Sequence, residues 1–189
     1  MKDRISSVIR ESSRVKEAAL AANLDALEKT AQAIIKAFQG RRRVFFCGNG
    51  GSAADSQHLA AEFVGRFQKE RGALPALALT TDSSILTSLA NDYSFDVVFA
   101  RQIEALGNSG DVLVGISTSG RSPNVLKAFE KARELGMTTV AFTGNDGGLM
   151  ARAADIAVIV PSKVTARVQE AHIALLHAIC EVVEDAFAG

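Results

Sequence analysis

The chain has 189 residues, which suits one α/β domain with an added helical element, and its 48% hydrophobic content is enough for a buried core. Its 21 basic and 21 acidic residues balance, so charge gives no general reason to expect nucleic acid or an anionic membrane as a partner. A charged N-terminus without a signal-peptide core, and the absence of about 18 consecutive apolar residues, predict a cytoplasmic protein with no membrane contact. Cys47 and Cys180 lie outside any C-x-x-C pattern and are predicted to be reduced core thiols.

Residues 1–39 are predicted to be helical, because apolar side chains recur near helical spacing until Gly40. Asn23 with Asp25 is a candidate break or cap within this segment. From residue 40 onward, short apolar runs alternate with amphipathic stretches. The predicted strands lie in RRRVFFCGNGG, LPALALTTD, GDVLVGISTSG, MTTVAFTGNDGG and DIAVIVP.

Helices are predicted between and after these strands, over about 52–67, in SSILTSLAND, VVFARQIEALG, SPNVLKAFEKARELG and LMARAA, and from 165 to about 187. Five alternations of strand and helix predict a doubly wound parallel sheet with helices on both faces. The chain is therefore predicted to be one domain, 1–189, with a helical segment 1–39 and an α/β core 40–189. Ligands of such sheets bind beyond the carboxyl ends of the strands, at the switch point.

The first strand runs into a glycine-rich loop, Gly48 to Ala53, which satisfies the dinucleotide pattern G-x-G-x-x-A. A dinucleotide site also needs an acid about 20 residues further on to hold the ribose. Asp82, the candidate, lies more than thirty residues past Gly48 and within a Ser/Thr-rich turn. The loop is therefore better interpreted as a phosphate-type loop than as a cofactor cradle.

A second loop, STSGRS, follows the third strand and opens a helix. Its hydroxyls and free backbone amides at a helix N-terminus can hold a phosphate without a lysine. The alternative is a serine-rich turn in which Ser122 and Pro123 only begin the helix. The strand-end position favours the phosphate site, whose hydroxyl residues are Ser117, Thr118, Ser119 and Ser122.

His58 and Glu62 are four residues apart and so share one helical face, where they can chelate a metal or present an acid and a base. A surface ion pair is the alternative. Gln169 and His177 on the last helix are eight apart, about 12 Å along the axis, so a metal or sugar held between them could touch both. Glu181, four residues after His177, is a rival ligand or a partner that orients His177.

Two other polar features are less specific. His172 is interpreted as a packing or hydrogen-bonding residue of the last helix. Asn91 and Asp92 end a helical piece, where polar residues are usually caps or turns. A sugar-binding role is the alternative for this pair.

Five motifs together resemble the phosphoheptose isomerases of the sugar isomerase (SIS) family: GNGGSAADSQHLAAEFVGRF, TDSSILTSLANDY, STSGRSPN, TGNDGG and ARVQEAHIALLH. The resemblance covers nearly the whole chain, with the motifs in the family's order. It implies a flavodoxin-like five-stranded parallel sheet with N-terminal helices and a long C-terminal helix. It also implies a homotetramer with N-terminal helices in a central bundle and active sites at subunit contacts.

The reaction implied by the resemblance converts D-sedoheptulose 7-phosphate to D-glycero-D-manno-heptose 7-phosphate through an enediol. This would be the first step of ADP- or GDP-heptose biosynthesis for lipopolysaccharide or capsule. The resemblance implies one zinc ion per active site, bound by His58, Glu62, Gln169 and His177. We expect Glu62 to act as the base and His177 as the acid; full zinc ligation and acid catalysis by His177 compete unless the coordination changes during turnover.

The substrate contacts implied by the resemblance are Asn49, Gly50, Gly51, Ser52, Glu62, Asn91, Asp92, Ser117, Thr118, Ser119, Ser122 and Gln169. One position departs from the family pattern: some members carry an acid where this chain has Ala166. That difference alters local charge but removes none of the proposed site residues.

Two other functional classes share this fold by resemblance. One is a bacterial binding module that associates with the replication initiator; it lacks residues matching Glu62 and His177, both of which this chain retains. The other is a phosphosugar sensor attached to a DNA-binding domain, which the absence of a basic patch disfavours. An enzyme is therefore predicted.

Overall fold

Helix and strand alternate from end to end, as the apolar pattern predicts. The computed structural model describes residues 1–188, which form seven α-helices and five strands. A 3₁₀ turn, Phe95–Val97, lies between the third and fourth helices. The elements are α1 (Lys2–Gln39), β1 (Val44–Gly48), α2 (Gly51–Val64), β2 (Ala76–Ala78), α3 (Ser83–Asp92), α4 (Ala100–Leu106), β3 (Val112–Ser117), α5 (Pro123–Glu134), β4 (Thr138–Gly144), α6 (Met150–Ala153), β5 (Ile156–Val160) and α7 (Thr165–Asp185).

All five strands pair in parallel in the order β2-β1-β3-β4-β5. This is the flavodoxin-like order, and it confirms the predicted doubly wound sheet. Every residue of β1 and β3 is buried, since helices cover both faces of these central strands. After β1 the chain continues to β2, next to β1 on one side, and after β3 it continues to β4, next to β3 on the opposite side. The switch point therefore lies between the carboxyl ends of β1 and β3.

Alternate side chains of the strands enter two separate cores. Phe46 and Val114 face a core shared with α1, α2 and α7. Phe45 and Leu113 face a second core shared with α4, α5 and α6. Because side chains alternate along a strand, each strand can bury apolar groups in both layers at once. The layer containing α2 and α7 carries the predicted zinc ligands.

The predicted break at Asn23 and Asp25 is wrong, because α1 continues through it as one 38-residue helix. The Asn23 side chain is buried and pairs with the edge of β5: its Nδ2 donates to the Ile159 carbonyl at 3.0 Å, and its Oδ1 accepts from the Ile159 N–H at 2.8 Å. The same Nδ2 donates to the Ala19 carbonyl at 2.7 Å. Asn23 therefore satisfies an otherwise unpaired strand edge instead of ending the helix.

His172 is fully buried in α7, and its Nε2 donates to the Thr143 carbonyl of β4 at 2.9 Å. Burial lowers its pKa to about 4, although the hydrogen bond to Thr143 acts in the opposite direction. The predicted packing and hydrogen-bonding role of His172 is confirmed. Cys47 and Cys180 are likewise buried, free thiols, as predicted.

The predicted helix over about 52–67 ends earlier, at Val64. Gly65 caps the helix, and the N–H groups of residues 67–69 are bound by the Glu184 side chain of α7. None of the helices in the described chain combines the length and apolar character that a membrane-spanning helix needs.

Candidate active site

The loops after β1 and β3 meet at the switch point through a pair of side-chain amides. Asn49 Nδ2 donates to Asn124 Oδ1 at 3.0 Å, and Asn124 Nδ2 donates back to Asn49 Oδ1 at 2.9 Å. Asn124 is buried in the first turn of α5 and also holds its own helix start through the Val125 N–H, at 3.0 Å. Sequence reasoning did not single out Asn124, although its motif, SPN, was among the recognised ones. Its partner, Asn49, lies 75 residues away, so no local pattern indicates this contact.

Three hydroxyls of the STSGRS loop converge on one another. Ser117 Oγ lies 2.8 Å from Ser122 Oγ and 3.4 Å from Ser119 Oγ. Ser122 occupies the N-cap position of α5 but makes no capping hydrogen bond with its side chain. The amide that a serine cap would bind, the Val125 N–H, is held by Asn124 Oδ1 instead, so the Ser122 hydroxyl does not serve as the cap. This geometry favours the phosphate-binding interpretation over a structural serine cap.

Gly120 fixes the shape of this loop. Its φ is +63°, and a Cβ there would lie 2.1 Å from the Gly147 carbonyl oxygen. Any other residue would clash with the neighbouring turn and occupy a strained backbone region. The STSGRS loop therefore packs directly against the TGNDGG turn that follows β4, and Thr118 and Ser119 remain at least partly accessible.

The glycine loop presents backbone at the same edge of the sheet. Gly50 has a φ of +57°, and a Cβ there would meet open space. Gly51 is closely covered, since a Cβ would lie 2.2 Å from Gln169 Nε2. Ser52 is buried in the first turn of α2. The structure thus brings Gln169 of α7 against the glycine loop.

His58, Glu62 and His177 come together where α2 and α7 run side by side. His58 Nε2 lies 2.8 Å from His177 Nε2 and 3.4 Å from Glu62 Oε1. The ring of Phe67 packs on that of His177, with 5.4 Å between centroids. Burial lowers the pKa of His177 and the charge of His58 lowers it further, whereas Glu62 opposes the shift. The side chains of His58 and Glu62 are 46% and 20% exposed, so a small molecule can reach them from solvent.

The donor set of this cluster suits zinc: two imidazole nitrogens and one carboxylate. As they stand, however, no three or more His, Cys, Asp and Glu side chains within residues 1–188 are arranged to hold a metal ion. The His58 and His177 Nε2 atoms lie 2.8 Å apart, which is a hydrogen-bond distance. Two nitrogens on one tetrahedral zinc are separated by about 3.3 Å, given bonds of 2.0–2.1 Å. The two rings therefore lie closer together than two zinc ligands would, and zinc stays a prediction.

The other predicted site residues, Gln169, Asn91 and Asp92, make contacts elsewhere in the chain. Gln169 contacts Gly51, at the start of α2, and His177 contacts His58, seven residues further along the same helix. The helices α2 and α7 therefore run in the same direction. Gln169 remains a predicted zinc ligand and substrate contact. Asn91 and Asp92 are exposed at the end of α3, and Asn91 Nδ2 donates to Asp92 Oδ1 at 2.8 Å. Their role in sugar binding also stays a prediction.

Known proteins match the chain along its whole length. The sequence profile of the SIS domain family matches residues 9–144. A phosphoheptose isomerase of Clostridium acetobutylicum is 49% identical over 191 residues, covering 100% of this chain and 97% of that protein. Another, of Aquifex aeolicus, is 51% identical over 185 residues, covering 98% and 97%. The structure of a phosphoheptose isomerase from Neisseria gonorrhoeae matches with a TM-score of 0.92 at 44% identity, over 97% of this chain and 98% of that one. The chain therefore belongs to the SIS domain family and, within it, to the phosphoheptose isomerase enzymes.

Proposed function

We propose that this enzyme interconverts D-sedoheptulose 7-phosphate and D-glycero-D-manno-heptose 7-phosphate. The observation that carries the proposal is the meeting of Glu62 and His177 with His58, from helices more than a hundred residues apart in sequence. An aldose–ketose isomerisation needs a base at carbon and an acid at oxygen. A carboxylate and an imidazole within reach of one small molecule supply both.

The 2.8 Å contact between the His58 and His177 rings requires a proton on one of the two Nε2 atoms. When that proton lies on His177, its Nε2 would be the donor to the substrate oxygen. As Glu62 takes the proton from C1 or C2, His177 would protonate the carbonyl oxygen, which gives the enediol. As Glu62 returns its proton to the other carbon, His177 would take back a proton from the other oxygen. Zinc, if held by His58, Glu62, Gln169 and His177, would polarise the carbonyl and hydroxyl oxygens. A His177 nitrogen bound to zinc could not also donate a proton, so acid catalysis by His177 would require a change in coordination during turnover.

The phosphate of the substrate would bind at the STSGRS loop. The loop offers four hydroxyls at the N-terminus of α5, those of Ser117, Thr118, Ser119 and Ser122. The glycine loop, braced to α5 by the Asn49–Asn124 pair, would let the sugar chain approach the backbone. Asn91 and Asp92 complete the proposed sugar contacts.

The proposal includes a homotetramer with active sites at subunit contacts. A largely apolar groove runs between α1 and α7, lined by side chains such as Leu20, Leu24, Leu27 and Leu175. Leu24 is 62% exposed and Val182 is 53% exposed, which is unusual for neighbouring large apolar side chains on a soluble surface. Burial of this groove against other copies supports the tetramer. We further propose that the enzyme works in the cytoplasm and that its product feeds ADP- or GDP-heptose synthesis for lipopolysaccharide or capsule.

The test is conversion of sedoheptulose 7-phosphate to the aldose, with and without a chelator. We expect Glu62→Gln to lose turnover by about 10²–10⁴-fold, because the general base is removed, while phosphosugar binding measured by calorimetry persists. Glu70→Gln is the matched control, since Glu70 is an exposed carboxylate that pairs with Arg66 and is not among the predicted site residues. Near-normal turnover in Glu62→Gln would contradict the assignment of Glu62 as the general base. No product from the wild type with zinc supplied would favour the binding-module class instead.

A further inference from the structure

A buried ion pair joins the loop after α2 to the end of α7. The side chains of Arg71 and Glu184 are 0% and 2% exposed, and Arg71 Nε lies 3.3 Å from Glu184 Oε1. Each buried charge costs several kcal/mol unless hydrogen bonds compensate it. The hydrogen-bond partners of the two side chains therefore indicate which parts of the structure this pair stabilises.

The Glu184 carboxylate binds three consecutive backbone amides of the loop. Its oxygens accept hydrogen bonds from the N–H groups of Phe67, Gln68 and Lys69 at 2.8, 2.7 and 2.8 Å. Burial alone would raise the pKa of Glu184, but these three hydrogen bonds and the charge of Arg71 outweigh it and lower the pKa. Glu184 is therefore an ionised anchor for the loop.

The Arg71 guanidinium binds the end of α2. It donates to the Glu62 carbonyl at 2.7 Å and to the Phe63 carbonyl at 2.8 Å. Further bonds reach the carbonyls of Gly65 and Gly72. The last carbonyls of a helix have no partner within the helix, so Arg71 acts as their cap. The backbone of Glu62, whose side chain is the proposed base, is thereby fixed.

Both ends of this pair lead to the proposed proton-transfer groups. Glu184 lies seven residues after His177 on α7, which is about two helical turns. Phe67, whose N–H is held by Glu184, packs its ring on the His177 imidazole. Arg71 holds the residue that carries the base, and Glu184 holds the residue that packs on the acid.

We propose that Arg71 and Glu184 are positioning residues that hold Glu62 and His177 in register for proton transfer. The inference rests on the proposed isomerase function. Neither residue need touch the substrate. Displacements of about 1 Å in a reacting group can cost 10²-fold in rate. The phosphate loop lies after β3 and does not depend on this pair, so the loss is expected in kcat and not in KM.

The variants are Arg71→Met and Glu184→Gln, with Arg71→Lys as the conservative change. We expect kcat to fall about 30–100-fold in the first two with KM changed less than about 3-fold, since only positioning is lost. Arg71→Lys keeps the charge but loses the planar fork, and an intermediate kcat is expected. Lys69→Met is the matched control: Lys69 pairs with Asp185 at 2.7 Å between the same loop and helix, but both side chains are more than half exposed.

Circular dichroism and thermal unfolding select the variants that remain folded at the assay temperature. The Glu184→Gln and Arg71→Lys changes keep the side-chain shape or charge, so the test does not depend on Arg71→Met alone. Wild-type kcat in the folded variants, an equal fall in Lys69→Met, or a loss confined to KM would overturn the proposal.

Imidazole nitrogen NMR spectra supply a readout that does not need turnover. The chain has three histidines, so each can be assigned. We expect Glu184→Gln to shift the His58 and His177 signals and to leave His172 unchanged, because His172 bonds to β4 instead. If the wild type shows no isomerase activity, the proposed function fails, and these shifts still decide the positioning role. Unchanged His177 signals would refute it.

Discussion

The buried His172 is expected to make the fold acid-sensitive in a way that one substitution can isolate. Its pKa falls from 6.5 to about 4 on folding, because burial disfavours the charged imidazole. As the pH drops below 6.5, the His172 imidazole becomes protonated in the unfolded chain but stays neutral in the folded chain. Stability contributed by the neutral histidine is therefore complete above pH 6.5 and is lost as the pH falls towards about 4.

The magnitude follows from the size of the shift. At about 1.36 kcal/mol per pKa unit, the shift of His172 corresponds to a loss of about 3 kcal/mol per chain across this range. His172 is fully buried, so solvent screening does not reduce the figure greatly. The His172→Gln variant keeps an amide that can donate to the Thr143 carbonyl but cannot titrate.

The assay is urea unfolding of wild type and His172→Gln at about pH 7.5 and about pH 4, at one fixed protein concentration. All other titratable groups are common to both proteins, so their contributions cancel in the difference between them. We expect the wild type to lose about 3 kcal/mol more than the variant between the two pH values. Parallel losses in both proteins would refute the assignment of this acid sensitivity to His172.

Two further predictions concern binding and assembly. Asn124→Ala removes the pair of amide hydrogen bonds that joins the glycine loop to α5. We expect phosphosugar affinity, measured by calorimetry, to fall about tenfold, which corresponds to the free energy of one or two hydrogen bonds. Unchanged affinity would show that the loop holds its shape without the brace. Leu24→Asp places a charge in the exposed apolar groove between α1 and α7, and we expect the assembly to dissociate in light scattering while the helical signal is kept. Wild-type mass at the same concentration would exclude the groove as the subunit contact.

Much of the architecture could be predicted because it depends on local pattern. β1 and β3 are short apolar runs that stop at glycine or serine, and such runs bounded by amphipathic helices fit only a parallel sheet covered on both faces. Asn23 was misjudged because its side chain looks like a helix-capping group in isolation. Its partner, Ile159, lies 136 residues away and is invisible to a local pattern.

The site shows the same division. Spacing within α2 was enough to place His58 and Glu62 on one face. Spacing could not show that the His58 and His177 rings touch, or that Gln169 meets the glycine loop, since these contacts depend on how α2 and α7 lie against each other. Asn124 and Arg71 were missed for this reason: asparagine after Ser-Pro and arginine in a charged loop have no distinctive local pattern.

From local pattern alone, the sequence predicts the order of strands and helices along the chain, the two loops at strand ends and the types of side chain that can carry isomerase chemistry. It could do so because hydrophobic periodicity and turn chemistry are properties of neighbouring residues. The tertiary structure decided which polar groups meet: the two imidazoles, the two asparagine amides, and the Arg71–Glu184 pair. These contacts span from about 75 to about 120 residues, because packing α2, α5 and α7 on one sheet brings distant segments together at its edge.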